Sequence, residues 1–243
     1  MDKQLFHRVC DEVVGRDQGL MGIGTLGEKT VHSVLKYYYE PNKNNHEIRI
    51  KGYVADICNG YEIVEVQSRD FNKLRKKLEV FLDCCPVTIV YPVPYIKLLR
   101  WVDPQTGEIS KPRKSSRKGT PYMIFPELYK IKNYLLHPNL RIKIVLLNIE
   151  EYRLLDGWSS DRKKGSSKCD RIPVDIIDEL YIANPRDYDL LIPDTLKTGF
   201  TSKDYKKATG LPTGASVTAL HVLNYVGAVK RTGKKGHAFL YSR

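Results

Sequence analysis

Two segments that read as buried strands, YVADI and YEIVEVQ, carry Asp56, Glu65 and Gln67 among their apolar residues. A polar group buried without a partner costs several kcal/mol, roughly 2–7 depending on the reference. A fold that accepts all three must therefore give them a hydrogen-bonding network or a cation. The Asn-Gly pair at 59–60 between the segments is a hairpin turn signal, so the two strands lie side by side. Strand residues two apart share a face, which sends Glu65 and Gln67 to the same side as Ile63 and lets Asp56 lie opposite them. Two carboxylates ~4 Å apart repel by about 4 kcal/mol at an effective dielectric near 20. A divalent cation turns that repulsion into binding, and an oxygen-only donor set favours Mg²⁺ or Mn²⁺ over zinc. The alternative places Asp56 at a strand end in a turn and Glu65 and Gln67 on a wet sheet face, which the alternation in YEIVEVQ also permits.

The elements around this pair follow a readable order. GEKTVHSVLKYYYE, 27–40, has Val31, Val34, Leu35 and Tyr38 at helical spacing, with Pro41 as a stop. HEIRIKGYVADI is extended. RDFNKLRKKLEVFL places Phe71, Leu74, Leu78 and Phe81 on one helical face, and VTIVYPV, 87–93, is a short buried strand. Helix, strand hairpin, helix, strand indicates an α/β domain with a mixed sheet. Glu28 stands on the first-helix face directed at the sheet, where a glutamate is either near the helix end and wet or aimed into the site.

These residues resemble the PD-(D/E)xK nuclease superfamily over roughly residues 24–93. Asp56 matches the acidic residue of the family's second strand, Glu65 the second carboxylate, Gln67 the lysine position and Glu28 the glutamate of the first helix. Ala55 stands where a proline-like residue is usual. Gln67 is the larger departure, since an amide orients water but carries no charge. Lys73, on the following helix, is the candidate for a migrated cation. The resemblance implies metal-assisted phosphodiester hydrolysis, with Mg²⁺ or Mn²⁺ held by Asp56, Glu65 and the Val66 carbonyl and water positioned by Gln67. It also implies a restriction-endonuclease-like core. The alternative is a catalytically inactive nuclease-like fold that binds DNA as a regulator.

Beyond this core, DPQTG predicts a second hairpin leading into a basic loop at Lys111, Arg113, Lys114, Arg117 and Lys118. A helix near 124–136 and a strand at 141–149 extend the same domain, giving 1–157 as its span. Residues 158–183 read as a polar linker and a helix beginning near Pro173, whose ring suits a first helical turn. From 184 to 243 the order is a short helix capped by Ser202 and stopped by Gly210, a second helix, and a Gly-Lys-Lys-Gly hairpin, the layout of a winged helix. Ser216 near the start of that second helix, with Thr218, His221 and Tyr225 on its outward stripe, are candidate nucleic-acid contacts. Lys234 and Lys235 at the wing tip are candidate phosphate contacts.

The net charge of +12 over 243 residues draws the chain to polyanions, with nucleic acid the first candidate and an anionic membrane the second, and duplex DNA is the expected partner. Five cysteines without a C-x-x-C pair exclude a zinc ribbon and a disulfide framework. No apolar run approaches the roughly 18 residues of a membrane span. The amino terminus is a short amphipathic helix on Leu5, Val9 and Val13, not a signal-peptide layout, so a cytoplasmic protein is expected. A homodimer is left open. GIGTLG, 22–27, mimics a dinucleotide fingerprint but follows no clear strand.

Overall fold

A computed structural model describes residues 1–18, 29–157 and 165–243. Glu28, the GIGTLG segment and residues 158–164 of the basic linker lie outside the described residues. The fold is mixed α/β, and its large sheet runs in the order β1-β2-β3-β4-β6-β7, with β5 paired to β4. Those strands are β1 His46–Ile50, β2 Tyr53–Cys58, β3 Ile63–Val66, β4 Val87–Val102, β5 Arg113–Lys114, β6 Leu140–Leu154 and β7 Ser167–Ile182. β2 and β3 are antiparallel, while β3 and β4 are parallel. The chain divides into two compact units.

The first unit comprises Met1–His46, Pro92–Gly119 and Val145–Glu179. Helix α1, Lys3–Gln18, buries Phe6, Val9, Cys10 and Val13, and α2, Lys29–Tyr39, buries Val31, Val34, Leu35 and Tyr38. Phe6 meets Tyr38 edge to face at 5.3 Å. Charged and polar groups of β7 hold both helices. Asp175 pairs with Lys3 at 3.5 Å, the Thr30 hydroxyl donates to Asp170 at 2.9 Å, and the Tyr39 hydroxyl donates to Glu179.

Residues 167–182 thus form a strand where a linker and helix were expected. Asp175, Asp178 and Glu179 are spaced like a helix face, but Asp175 and Glu179 face tertiary partners on α1 and α2 instead. Pro173 lacks an N–H and is tolerated because β7 ends the strand order, where no further ladder bond is needed. The expected strand at 87–93 runs on to Val102, and the hairpin beyond it turns at Asp103, whose carboxylate accepts from the Gln105 and Thr106 amides at 2.8 and 3.0 Å.

The second unit comprises Glu47–Tyr91, Thr120–Ile144 and Leu180–Arg243. Asn59 closes the β2–β3 turn by accepting from the Tyr61 and Glu62 amides, both at 3.1 Å, and Gly60 takes a φ of +87° that favours glycine. A 3₁₀ turn, Phe71–Leu74, leads into α3, Arg75–Phe81, and Phe71, Leu74, Leu78 and Phe81 are all buried. Helix α4, Phe125–Lys130, lies between two 3₁₀ turns where one longer helix was expected. Near the carboxy terminus come α5 Ser202–Thr209, α6 Thr213–Tyr225, β8 Lys230–Lys235 and β9 Ala238–Ser242. The α5 cap is Thr201 rather than Ser202: Asp204, three residues on, returns a bond to the Thr201 amide at 2.8 Å and completes a capping box. Among the described residues no helix is long and apolar enough to cross a membrane.

Candidate functional site

The β2–β3 ladder pairs Cys58 with Ile63 and Ile57 with Val64. At the next pair the carboxylates take over from the backbone. The Asp56 amide donates to Glu65 Oε1 at 3.2 Å, and the Val66 amide donates to Asp56 Oδ2 at 2.8 Å. Each acid is therefore oriented by the other strand's main chain. β3 stays fixed on its far side, where the Gln67 amide donates to the Val90 carbonyl at 2.9 Å. From α3, Lys77 Nζ donates to Glu65 Oε2 at 2.7 Å. Asp56, Glu65 and Lys77 all belong to the second unit.

Of the other sequence candidates here, the Gln67 side-chain amide turns back to donate to the Arg69 carbonyl. Lys73 is not the cation of the site: its side chain is 78 % exposed and lies 3.9 Å from Asp70. Residues 71–74 wind as a 3₁₀ turn, which changes the helical phase before α3 and leaves Lys77 on the side of Glu65. Lys77 sits beside the Leu74–Leu78–Phe81 stripe, which is the signal that could have singled it out.

Glu65 is 2 % exposed. Burial, and then the negative charge of Asp56, push its carboxyl up to about 7, against the opposing pull of Lys77. An acid whose native pKa is raised binds a proton that the unfolded chain has released. Its ionisation therefore costs the fold stability as pH rises from the ordinary carboxylate value toward about 7, and the whole cost is present above that. In chelator, the wild type should lose on the order of 3 kcal/mol relative to Glu65→Gln between about pH 5 and about pH 8. Urea denaturation of both proteins across that range checks it, and parallel pH profiles would refute the assignment.

Two carboxylates and the Val66 carbonyl supply hard oxygen donors, and a cation would relieve the Asp56–Glu65 repulsion, so the residues present fit Mg²⁺ or Mn²⁺. Among the described residues no three His, Cys, Asp or Glu side chains gather as a metal cluster.

The basic candidates divide between the units. Lys111, Arg113, Lys114, Arg117 and Lys118 are exposed in the first, and Lys118 Nζ stands 4.2 Å over the Tyr95 ring beside a cleft of about 240 Å³. In the second unit Ser216 is fully buried and its hydroxyl donates to the Pro212 carbonyl at 3.1 Å, so it cannot touch nucleic acid. It lies on the same face as Ala219, Leu220 and Leu223, which seat α6. The Thr218 hydroxyl donates to the Gly214 carbonyl at 3.0 Å. His221 and Tyr225 are exposed and neighbour Tyr129 and Lys132, two residues missed in the sequence because α4 reads only as core there. Lys234 and Lys235 are exposed on β8, with Lys234 over the Phe239 ring at 5.2 Å.

No solved structure matches the chain. It is 30% identical over 155 residues to an uncharacterized protein of Treponema pallidum (strain Nichols), and spans 60% of that relative's length and 62% of its own. The domain of unknown function DUF8091 matches residues 29–183, from α2 through β7, with Asp56, Glu65 and Lys77 inside the match. The chain belongs to the DUF8091 family.

Proposed function

We propose that the protein is a metal-dependent nuclease of the PD-(D/E)xK type acting on DNA, delivered by a carboxy-terminal winged helix formed by α5, α6 and the β8–β9 hairpin. The observation that carries this reading is the reciprocal bonding of Asp56 and Glu65 where β2 and β3 part, with Lys77 on Glu65. Asp56, Glu65 and the Val66 carbonyl are the donors for Mg²⁺ or Mn²⁺. When bound, the cation supplies charge stabilisation at the phosphate and acidifies water. The chain's own residues do the rest. The two backbone amides keep the carboxylates converged, and Lys77 offsets their charge and stands where a cationic side chain can face a phosphate. Lys77 takes the role that Gln67, spent on the Arg69 carbonyl, leaves open. The net charge of +12 supports a polyanionic substrate.

Incubation with supercoiled plasmid and Mg²⁺ or Mn²⁺ tests this directly. The wild type should nick the plasmid, and Asp56→Ala should lower the rate by about 10²–10³-fold. Equal cutting by Asp56→Ala, or no cutting by the wild type, overturns the nuclease.

One observation favours a second reading, a DNA-binding regulator on an inactive nuclease fold: Lys77 already balances Glu65, and the Gln67 amide is turned away. On that reading DNA binding survives EDTA and Asp56→Ala, with no cleavage by any form.

A further inference from the structure

We propose that the surface shared by Tyr129, Lys132, His221 and Tyr225 is a stacking platform for single-stranded nucleic acid. The inference rests on the reading that the second unit acts on nucleic acid, and it names the form of the strand. Tyr129 and Tyr225 are large aromatic side chains left 49 % and 37 % exposed. Lys132 Nζ stands 4.9 Å from the Tyr225 ring centroid and 5.8 Å from that of Tyr129, bridging the two. His221 meets Tyr129 nearly edge to face at 6.4 Å. Beside them Arg75, Lys130 and Lys132 line a cleft of about 190 Å³. Exposed rings interleaved with cations are the chemistry that holds unpaired bases and their phosphates.

Duplex DNA does not fit the same surface. Its base faces are stacked on one another and closed to Tyr129 and Tyr225. The bidentate contacts that read purines in a major groove come from Arg, Lys, Asn or Gln on the inserted helix. The α6 sequence TGASVTALHVLNY has no Arg, Lys or Gln, and its one Asn, Asn224, is in the last turn. Ser216 is buried and the Thr218 hydroxyl is engaged with its own helix. Of the exposed residues of α6, Thr213, Gly214 and Val217 at its front carry no long hydrogen-bonding side chain, and His221 and Tyr225 adjoin α4 and build the platform.

The test is fluorescence anisotropy of the full chain in EDTA, where no cleavage intrudes. The probes are oligo(dT), oligo(rU) and a duplex, each about 20 nucleotides long. Each single strand should bind about tenfold or more tighter than the duplex, and Tyr129→Ala/Tyr225→Ala should weaken single-strand binding by about 30-fold while leaving duplex binding unchanged. Lys132→Ala should lower the salt slope for single strands by about 0.7. Tyr129→Phe/Tyr225→Phe should bind as the wild type, and unchanged melting of the alanine variant shows that the fold is intact. Duplex bound as tightly as single strands, or wild-type affinity in a folded alanine variant, overturns the platform. Loss of the nuclease reading instead shows as absent plasmid cutting with this binding intact.

Discussion

Lys77→Met is expected to lower plasmid cleavage by about 10²–10³-fold, while Lys73→Met leaves it within about twofold. Lys77 reaches Glu65 at 2.7 Å from a partly buried position, whereas Lys73 points to solvent and to Asp70. Removing the ammonium deletes the positive charge that Glu65 holds at 2.7 Å and pushes its carboxyl further up, so more of it is protonated at neutral pH. On the nuclease reading that weakens cation binding and also removes the positive group proposed to face the phosphate. Stability should follow a different rule. Lys77→Met strands an acid beside Asp56, and combining it with Glu65→Gln removes the repulsion and restores much of the melting temperature, yet not the cleavage. Plasmid nicking rates and thermal melts of the three variants separate the two effects. Equal loss in Lys73→Met, or full activity in Lys77→Met, would sink the assignment.

The meeting of Asp56 and Glu65 follows from two local rules, the period of a strand and the Asn-Gly turn. Both act within 20 residues of the site and need no knowledge of the rest of the chain. The buried faces of α2 and α3 follow in the same way from apolar spacing. What escaped depends on distant partners. β7 carries acids at helical spacing because Asp175 and Glu179 answer α1 and α2, more than 130 residues away, and its proline is harmless only at a sheet edge. Lys77 rather than Lys73 is decided by a 3₁₀ turn that local propensity does not announce. Ser216 shows the converse error, a polar residue read as a nucleic-acid contact when it is buried and its hydroxyl donates to the Pro212 carbonyl just before α6. Tyr129 and Lys132 acquire meaning only once α4 lies against α6.

Glu151→Gln is expected to destabilise the protein by about 3–5 kcal/mol, the cost of breaking a buried ionic network from one side. Glu151 is 0 % exposed in the first unit, and it accepts from Arg153 Nε at 2.9 Å and from Arg171 Nε at 3.1 Å. Burial opposes its ionisation, but the Arg153 bond and the charges of Lys97, Arg171 and Arg153 outweigh it and hold the carboxyl below its ordinary value. The sign is therefore opposite to that of Glu65. A depressed carboxyl contributes stability that is fully present above the unfolded value, about 4.5, and fades as pH falls below it. The gap between wild type and Glu151→Gln should be widest near neutral pH and shrink in acid, read by urea unfolding followed through tryptophan fluorescence. A gap under about 0.5 kcal/mol, or one that widens in acid, would refute the network. The contrast separates two kinds of buried acid in one chain. Glu151 is over-supplied with cations and serves the fold, whereas Glu65 has one lysine set against burial and a second carboxylate, and its carboxyl is held up instead of down.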